Sequence, residues 1–377
     1  MPVINKALSA ACLICLLILL PTGHLSALAW EWQMRWLYLV LISFFTVLLL
    51  APFVGKLAYL LGAIDRPDPR KVHAAPTPRL GGVAIFCALV FTMTRNWMTP
   101  RPIMGIILGA TIIFLLGVAE DCRGLSAKTR LFWQIVAALV AASSGPLISF
   151  PASLPLVRYA LTVLWVVGII NAFNFLDGID GLASGLGIIC SVFMLGIAWH
   201  TGQKELAFVL AALTGACIGF LHFNWHPAEQ FLGDSGSTLI GFLLAEFAIM
   251  ENWSTESLAS PLLILGIPIF DIIYITISRI RRGVVRNVRQ WLDHVDRDHF
   301  HHRLMNFGMT VEESVGFVLL VNICLGLAAW TIHYTQSSTA SVLLLLQCVC
   351  IFAIVVVLMQ KGAARRAPHP GEQNHTK

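Results

Sequence analysis

Apolar runs long enough to cross a bilayer dominate this chain and limit what it can become. A helix needs about 20 apolar residues to span the hydrocarbon. Twelve stretches read that way: about 7–29, 36–60, 80–95, 103–119, 131–149, 157–173, 182–199, 206–223, 237–252, 259–278, 314–334 and 340–359. Only 12% of the 377 residues are charged, against roughly 25% in a soluble domain. The expected fold is therefore an all-α polytopic membrane protein of about 11–12 transmembrane helices. Three regions are expected: an extra hydrophobic segment at 1–35, a membrane domain at 36–359 and a disordered cytoplasmic tail at 360–377. Residues 1–29 read either as a retained helix or as a cleaved signal peptide.

Basic residues orient the bundle. Threading the chain through the twelve spans puts 20 of the 25 Lys and Arg on the side of the 61–79 loop, which the positive-inside rule makes cytoplasmic. The charge bias is thereby explained by topology, and no nucleic-acid partner is expected. Eight of the nine cysteines lie in apolar runs and read as small packing residues rather than disulfides or a zinc site. The histidines of "DHVDRDHFHHRL", 293–304, lack the i, i+4 spacing of a zincin helix. Beside Arg297 and Arg303 they suit phosphate neutralisation better.

The acids fall on that same face. Glu120-Asp121 ends the fourth span, Asp177 and Asp180 lie between the sixth and seventh, and Asp234 lies between the eighth and ninth. Ionisable groups at a membrane edge are functional candidates by default. In "NAFNFLDGIDGLASG", 171–185, a seventh helix beginning near Asp180 would put both acids against the positive end of its dipole. The simpler reading is Asp as a cap and Gly181-x-x-x-Gly185 as a packing face. In "FNWHPAEQFLGDSGSTLIGF", 223–242, Asp234 opens a helix whose backbone amides can receive phosphate oxygens. Acids beside a phosphate nest conflict unless a divalent cation joins them, and magnesium prefers a few carboxylates plus phosphates and water.

Four motifs in order, "RKVHAAPTPRLGG", "EDCRGLSAKTR", "NAFNFLDGIDGLASG" with "FNWHPAEQFLGDSGS", and "DRDHFHHRL", resemble the polyprenyl-phosphate N-acetylhexosamine-1-phosphate transferase family over about residues 50–335. This group includes the undecaprenyl-phosphate GlcNAc-1-phosphate transferases and, more distantly, the phospho-N-acetylmuramoyl-pentapeptide transferases. The resemblance implies transfer of a sugar phosphate from a UDP-N-acetylhexosamine, most simply UDP-GlcNAc, to undecaprenyl phosphate, with release of UMP. That is the first membrane step of a cell-surface polysaccharide such as an O-antigen. It implies a cytoplasmic-face active site in a bacterial inner membrane and magnesium as cofactor, with manganese as the alternative ion. A homodimer is compatible with the sequence.

By motif, Asp234 and Asp121 match metal ligands, and Glu120, Asp121, Asp177, Asp180 and Asp234 match the catalytic acids. Lys71, His73, Asn171, Asn174, Asn224, Phe231, His299, His301, His302 and Arg303 match substrate contacts, with Phe231 in the place of a base-stacking aromatic. The family usually carries paired aspartates where this chain has Glu120-Asp121, so more weight falls on Asp121. Residues 284–296 depart from the family's Ser-Pro-Phe version and leave the sugar open. Two alternatives stand beside the enzyme: an inactive relative acting in assembly, motivated by Glu120, and a secondary transporter. The transporter would show midplane acids and two repeat halves, and the sequence shows neither.

Overall fold

The computed structural model describes residues 6–19, 34–66, 76–96, 101–149, 153–250, 259–281, 283, 305, 308–335 and 337–365. These form thirteen helices: α1 Lys6–Leu19, α2 Arg35–Leu61, α3 Gly81–Asn96, α4 Arg101–Arg123, α5 Ala127–Ser144, α6 Pro155–Leu176, α7 Leu182–His200, α8 Lys204–Asn224, α9 Gly233–Met250, α10 Ala259–Ile264, α11 Gly266–Arg281, α12 Val311–Thr335 and α13 Ser338–Arg365. Seven are long and apolar enough to cross a membrane: α2, α4, α6, α7, α8, α12 and α13. The chain is an all-α, multi-pass membrane protein.

The span expected at 259–278 is interrupted between α10 and α11. Pro268 has no N–H to return to the Ile264 carbonyl one turn earlier. That carbonyl instead accepts the Cys190 thiol of α7 at 3.2 Å, and Asn322 of α12 approaches the same sulfur at 3.5 Å. A sequence-local defect is thus repaired by two other helices. All nine cysteines are free thiols.

Two helices form the centre. α8 packs between α2 and α7, while α9 is enclosed by α3, α4 and α6. A helix apolar on every face belongs in an interior, and α9 is buried almost continuously from Ser235 to Ile249. Trp165 of α6 clips to it through an indole N–H donated to the Ala245 carbonyl, at 3.1 Å. At the other extreme, α13 is scarcely covered by protein, as expected of an apolar helix that faces lipid.

At one end of the bundle, backbone pairing stitches separate segments together. Strands β1 Ile64–Asp65 and β2 Thr77–Pro78 pair antiparallel, Ile64 opposite Pro78. The stretch after β2 then runs along the segment preceding α9. Phe231 N–H donates to the Pro78 carbonyl, and Gly81 and Gly82 donate to the carbonyls of Phe231 and Leu232, at 2.8 to 3.1 Å. This ladder fixes the start of α3 against the start of α9. Contact is so close that a Cβ on Gly82 would lie 2.2 Å from the Gly236 nitrogen. Backbone cannot yield there as a flexible side chain would. Gly82→Ala is expected to destabilise the fold by about 1–3 kcal/mol through overpacking, read as a lowered thermal midpoint in detergent; an unchanged midpoint would show that the two helix starts are not locked.

Candidate active site

The site is organised by a carboxylate that caps a helix belonging to another part of the chain. Asp121 ends α4, and its two oxygens accept the backbone N–H groups of Asp234 and Ser235 at 2.9 and 3.0 Å. These are among the donors that a helix start leaves without an internal partner. An anion there also meets the positive end of the helix dipole. The residue before Asp234 must make room: Gly233 has φ +72°, and a Cβ on it would meet the Arg79 carbonyl at 2.0 Å and an Asp121 oxygen at 2.7 Å. The "LGDSG" segment is therefore shaped by Asp121 and Arg79 as much as by itself.

With its N–H so held, Asp234 turns its side chain outward to other partners. Its Oδ1 accepts Asn174 Nδ2 at 2.9 Å, and the same amide reaches Ser237 Oγ at 3.2 Å. Its Oδ2 lies 3.6 Å from Arg130. The "EDCRGLSAKTR" motif builds the corner that delivers this arginine. Gly124 takes left-handed φ +67° after α4. Ser126 then caps α5 by accepting the Thr129 N–H at 3.2 Å, and Arg130 follows in the first turns. Glu120 accepts the Leu125 N–H at 2.6 Å and stands 3.5 Å from the same Arg130 nitrogen. Arg79, just after β2, lies 3.8 Å from Asp121 and 3.9 Å from Asp65.

The two aspartates of "NAFNFLDGIDGLASG" separate in role. Both precede α7 rather than entering its first turn, because Gly181 takes φ +77° between them and the helix. Asp177 caps the C-terminal end of α6, one turn after Asn174, and its carboxyl turns to the acidic cluster. Asp180 holds the 225–232 loop: it meets His226 Nδ1 at 2.7 Å and accepts the Ala228 N–H at 3.1 Å. That loop carries Phe231. Asn224 is buried, its oxygen accepting from Gly181 N–H and Ser184 Oγ and its NH2 donating to the Gln230 carbonyl. Asn171 points to Gln134 of α5 at 2.9 Å. The structure thus gathers Glu120, Asp121, Asn174, Asp177 and Asp234, with Asp180, Asn224 and Phe231 framing one side and Asn171 turned away. Lys71, His73, His299, His301, His302 and Arg303 lie outside the described residues.

Among the described residues, Asp65, Glu120, Asp121, Asp177, Asp180 and Asp234 stand against Arg79 and Arg130. Burial first, and the Asp234 charge second, push the Asp177 carboxyl well above the usual carboxylate range, with Arg79 opposing. Burial works against the charged form of Arg79, but Asp121, Asp234, Asp65 and Asp177 outweigh it and raise its pKa. Among the described residues no three His, Cys, Asp or Glu side chains make a complete metal cage. Magnesium does not need one, since it keeps waters and takes one or two carboxylates plus phosphate oxygens. The donors are all oxygen, and no described group hydrogen bonds to the Asp177 carboxylate. The residues therefore fit a hard divalent cation; Asp121 already accepts two amides of α9, whereas Asp177 accepts from no described group.

Comparison with known proteins settles the relationship. The profile described as glycosyl transferase family 4 matches residues 103–252, from α4 to the end of α9. A probable undecaprenyl-phosphate N-acetylglucosaminyl 1-phosphate transferase of Bacillus subtilis is 34% identical over 79% of this chain and 85% of its own. A decaprenyl-phosphate N-acetylglucosaminephosphotransferase of Mycobacterium tuberculosis is 33% identical, covering 82% and 85%. The undecaprenyl-phosphate alpha-N-acetylglucosaminyl 1-phosphate transferase of Escherichia coli is 30% identical, covering 82% and 87%. The chain belongs to the polyprenyl-phosphate N-acetylhexosamine-1-phosphate transferase family. Within this transferase, three site residues escaped sequence reasoning. Arg79, Arg130 and His226 all lie inside the quoted motifs, yet nothing in the local sequence assigns any of them a role of its own.

A carboxyl raised in the folded state takes up its proton more readily there than in the unfolded chain. Stability consequently falls as pH rises from the ordinary Asp range through the folded value, and the deficit persists above it. Asp177→Asn carries no charge and escapes that deficit. The variant is expected to melt a few degrees higher than wild type at neutral pH without divalent cation, and the difference should shrink on acidification. Equal melting at all pH values would show that Asp177 bears no such load.

Proposed function

We propose that this transferase moves N-acetylhexosamine-1-phosphate, most simply GlcNAc-1-phosphate, from a UDP-sugar to undecaprenyl phosphate, releasing UMP. It would act at the cytoplasmic face of a bacterial inner membrane, at the start of a cell-surface polysaccharide. The observation that carries this reading is the Asp177–Asp234 pair, two carboxylates set beside a helix start with two guanidinium groups close by. The named relatives and the 20:5 distribution of basic residues support it.

In this reading an oxygen of the lipid phosphate attacks the sugar-linked phosphorus in line. The bond from that phosphorus to the bridging oxygen breaks, and the electron pair leaves with UMP. A magnesium ion held by Asp177 and Asp234 would supply charge neutralisation for the diphosphate and the departing phosphate. The remaining work falls to the chain. Arg79 and Arg130 bring positive charge to the phosphate oxygens. Asn174 holds Asp234 in one orientation. Asp121, with both oxygens bound to backbone amides, positions rather than abstracts, and an already ionised phosphate monoester needs no strong base. Asp180 and His226 hold the loop that presents Phe231, a surface for the uracil ring.

The test is UMP release by purified protein with undecaprenyl phosphate, magnesium and a panel of UDP-N-acetylhexosamines. Turnover should require magnesium and stop with chelator. Asp234→Asn should lower kcat by about 10³-fold, the several kcal/mol that metal-centred charge stabilisation contributes. No UMP release with any donor would end the proposal, and undiminished turnover in the variant would remove Asp234 from the metal site.

A further inference from the structure

Glu120 occupies the place where the family usually has aspartate, and the structure gives it a distinct occupation. One of its oxygens accepts the Leu125 N–H at 2.6 Å, a short charge-assisted bond to the turn that closes α4. The other lies 3.5 Å from an Arg130 nitrogen, which is also 3.6 Å from Asp234. Reaching the turn amide and the guanidinium at once uses the whole glutamate side chain. An aspartate would fall short by one methylene, about 1.5 Å on the covalent scale.

The two arginine contacts differ from the glutamate's own anchor. Both exceed the 2.7–2.9 Å or so of a tight charge-assisted hydrogen bond, and the Arg130 side chain is one-third exposed. Such contacts neutralise without locking. Arg130 has one clamped neighbour, Glu120, and one neighbour, Asp234, that a cation would claim. A guanidinium displaced from Asp234 by a divalent ion would remain beside the site through Glu120, with its planar donor edge free for phosphate.

Resting on the diphosphate-transferase reading above, we propose that Glu120 is a positioning residue that tethers Arg130 at the mouth of the site. Arg130 then serves as the exchangeable counter-charge of Asp234 before substrate binds and as a contact to the donor's phosphate afterwards. Glu120 neither touches the reacting atoms nor carries a proton in the reaction.

The sign of one substitution separates this from simple electrostatics. Neutralising a carboxylate near an anionic diphosphate should, by charge alone, tighten the donor. If Glu120 works through Arg130, Glu120→Gln should instead raise KM for UDP-GlcNAc by about tenfold, the order of one lost charge-assisted contact, while kcat changes by less than about threefold. Arg130→Ala should raise KM equally, and the double variant should be no worse than Arg130→Ala alone, because the two act as a unit. UDP affinity, measured calorimetrically with magnesium present, should weaken in the same order. Mn2+ binding, followed by its paramagnetic resonance, should tighten in Arg130→Ala as the competing cation is removed.

A lower KM in Glu120→Gln, additive effects in the double variant, or a large kcat loss at constant KM would each overturn the proposal, the last by making Glu120 a catalytic acid or base. If wild type releases no UMP, the transferase reading fails on its own. The UDP and Mn2+ titrations then still decide whether Glu120 holds Arg130 beside Asp234.

Discussion

The bond from the Asp121 carboxylate to the first amides of α9 is the interaction on which the rest of the site depends. It joins the end of the membrane helix α4 to the start of the buried helix α9, over a hundred residues away. Without it, α9 would begin with unsatisfied donors in a buried setting, each costing roughly 1–3 kcal/mol. With it, a buried carboxylate finds two N–H groups, a helix dipole and Arg79. The same contact fixes the backbone of Asp234, so that the side chain has one direction left, toward Asn174 and Arg130. Structural and functional demands on Asp121 coincide for that reason.

Asp234 and Asp177 carry the opposite imbalance. Among the described residues, carboxylates around them outnumber arginines, and burial adds to the cost at Asp177. Buried carboxylates set close together destabilise a fold by desolvation and mutual repulsion, so this pair is a cost that packing alone does not explain. Around them the 77–82 ladder, the Asp180 clasp on the 225–232 loop and the buried Asn224 hold the backbone in place.

Much of this was legible in the residues, and what was not has a common physical cause. Apolar runs mark helices because 20 or so residues of hydrocarbon length admit little else. Acids at the ends of those runs mark one face, because alternation leaves them nowhere else to go. Roles set by distant partners were not legible. Nothing local in "LGDSG" says that its helix is capped from α4, or that Asn224 spends its amide on Gly181, Ser184 and Gln230. Arg130 looks like any positive-inside arginine until the corner at Gly124 and Ser126 folds it back over Asp234. The break before α11 is visible in Pro268, but its repair by Cys190 is not.

Placing the acids at helix ends also bears on what kind of membrane protein this is. A carboxylate at the bilayer centre must be neutralised within the protein or lined by a water-filled path. At a helix terminus it has exposed backbone donors and interfacial water within reach, so several acids can gather where a sugar-phosphate donor and a lipid phosphate can both arrive. Helices α4, α6 and α9 all present their ends to this cluster, each delivering one element of it: Asp121 with Glu120, Asn174 with Asp177, and Asp234. A transporter would need such residues midway along broken helices in paired halves. The arrangement suits chemistry performed at a surface between a soluble donor and a membrane-held acceptor, rather than passage through the bundle.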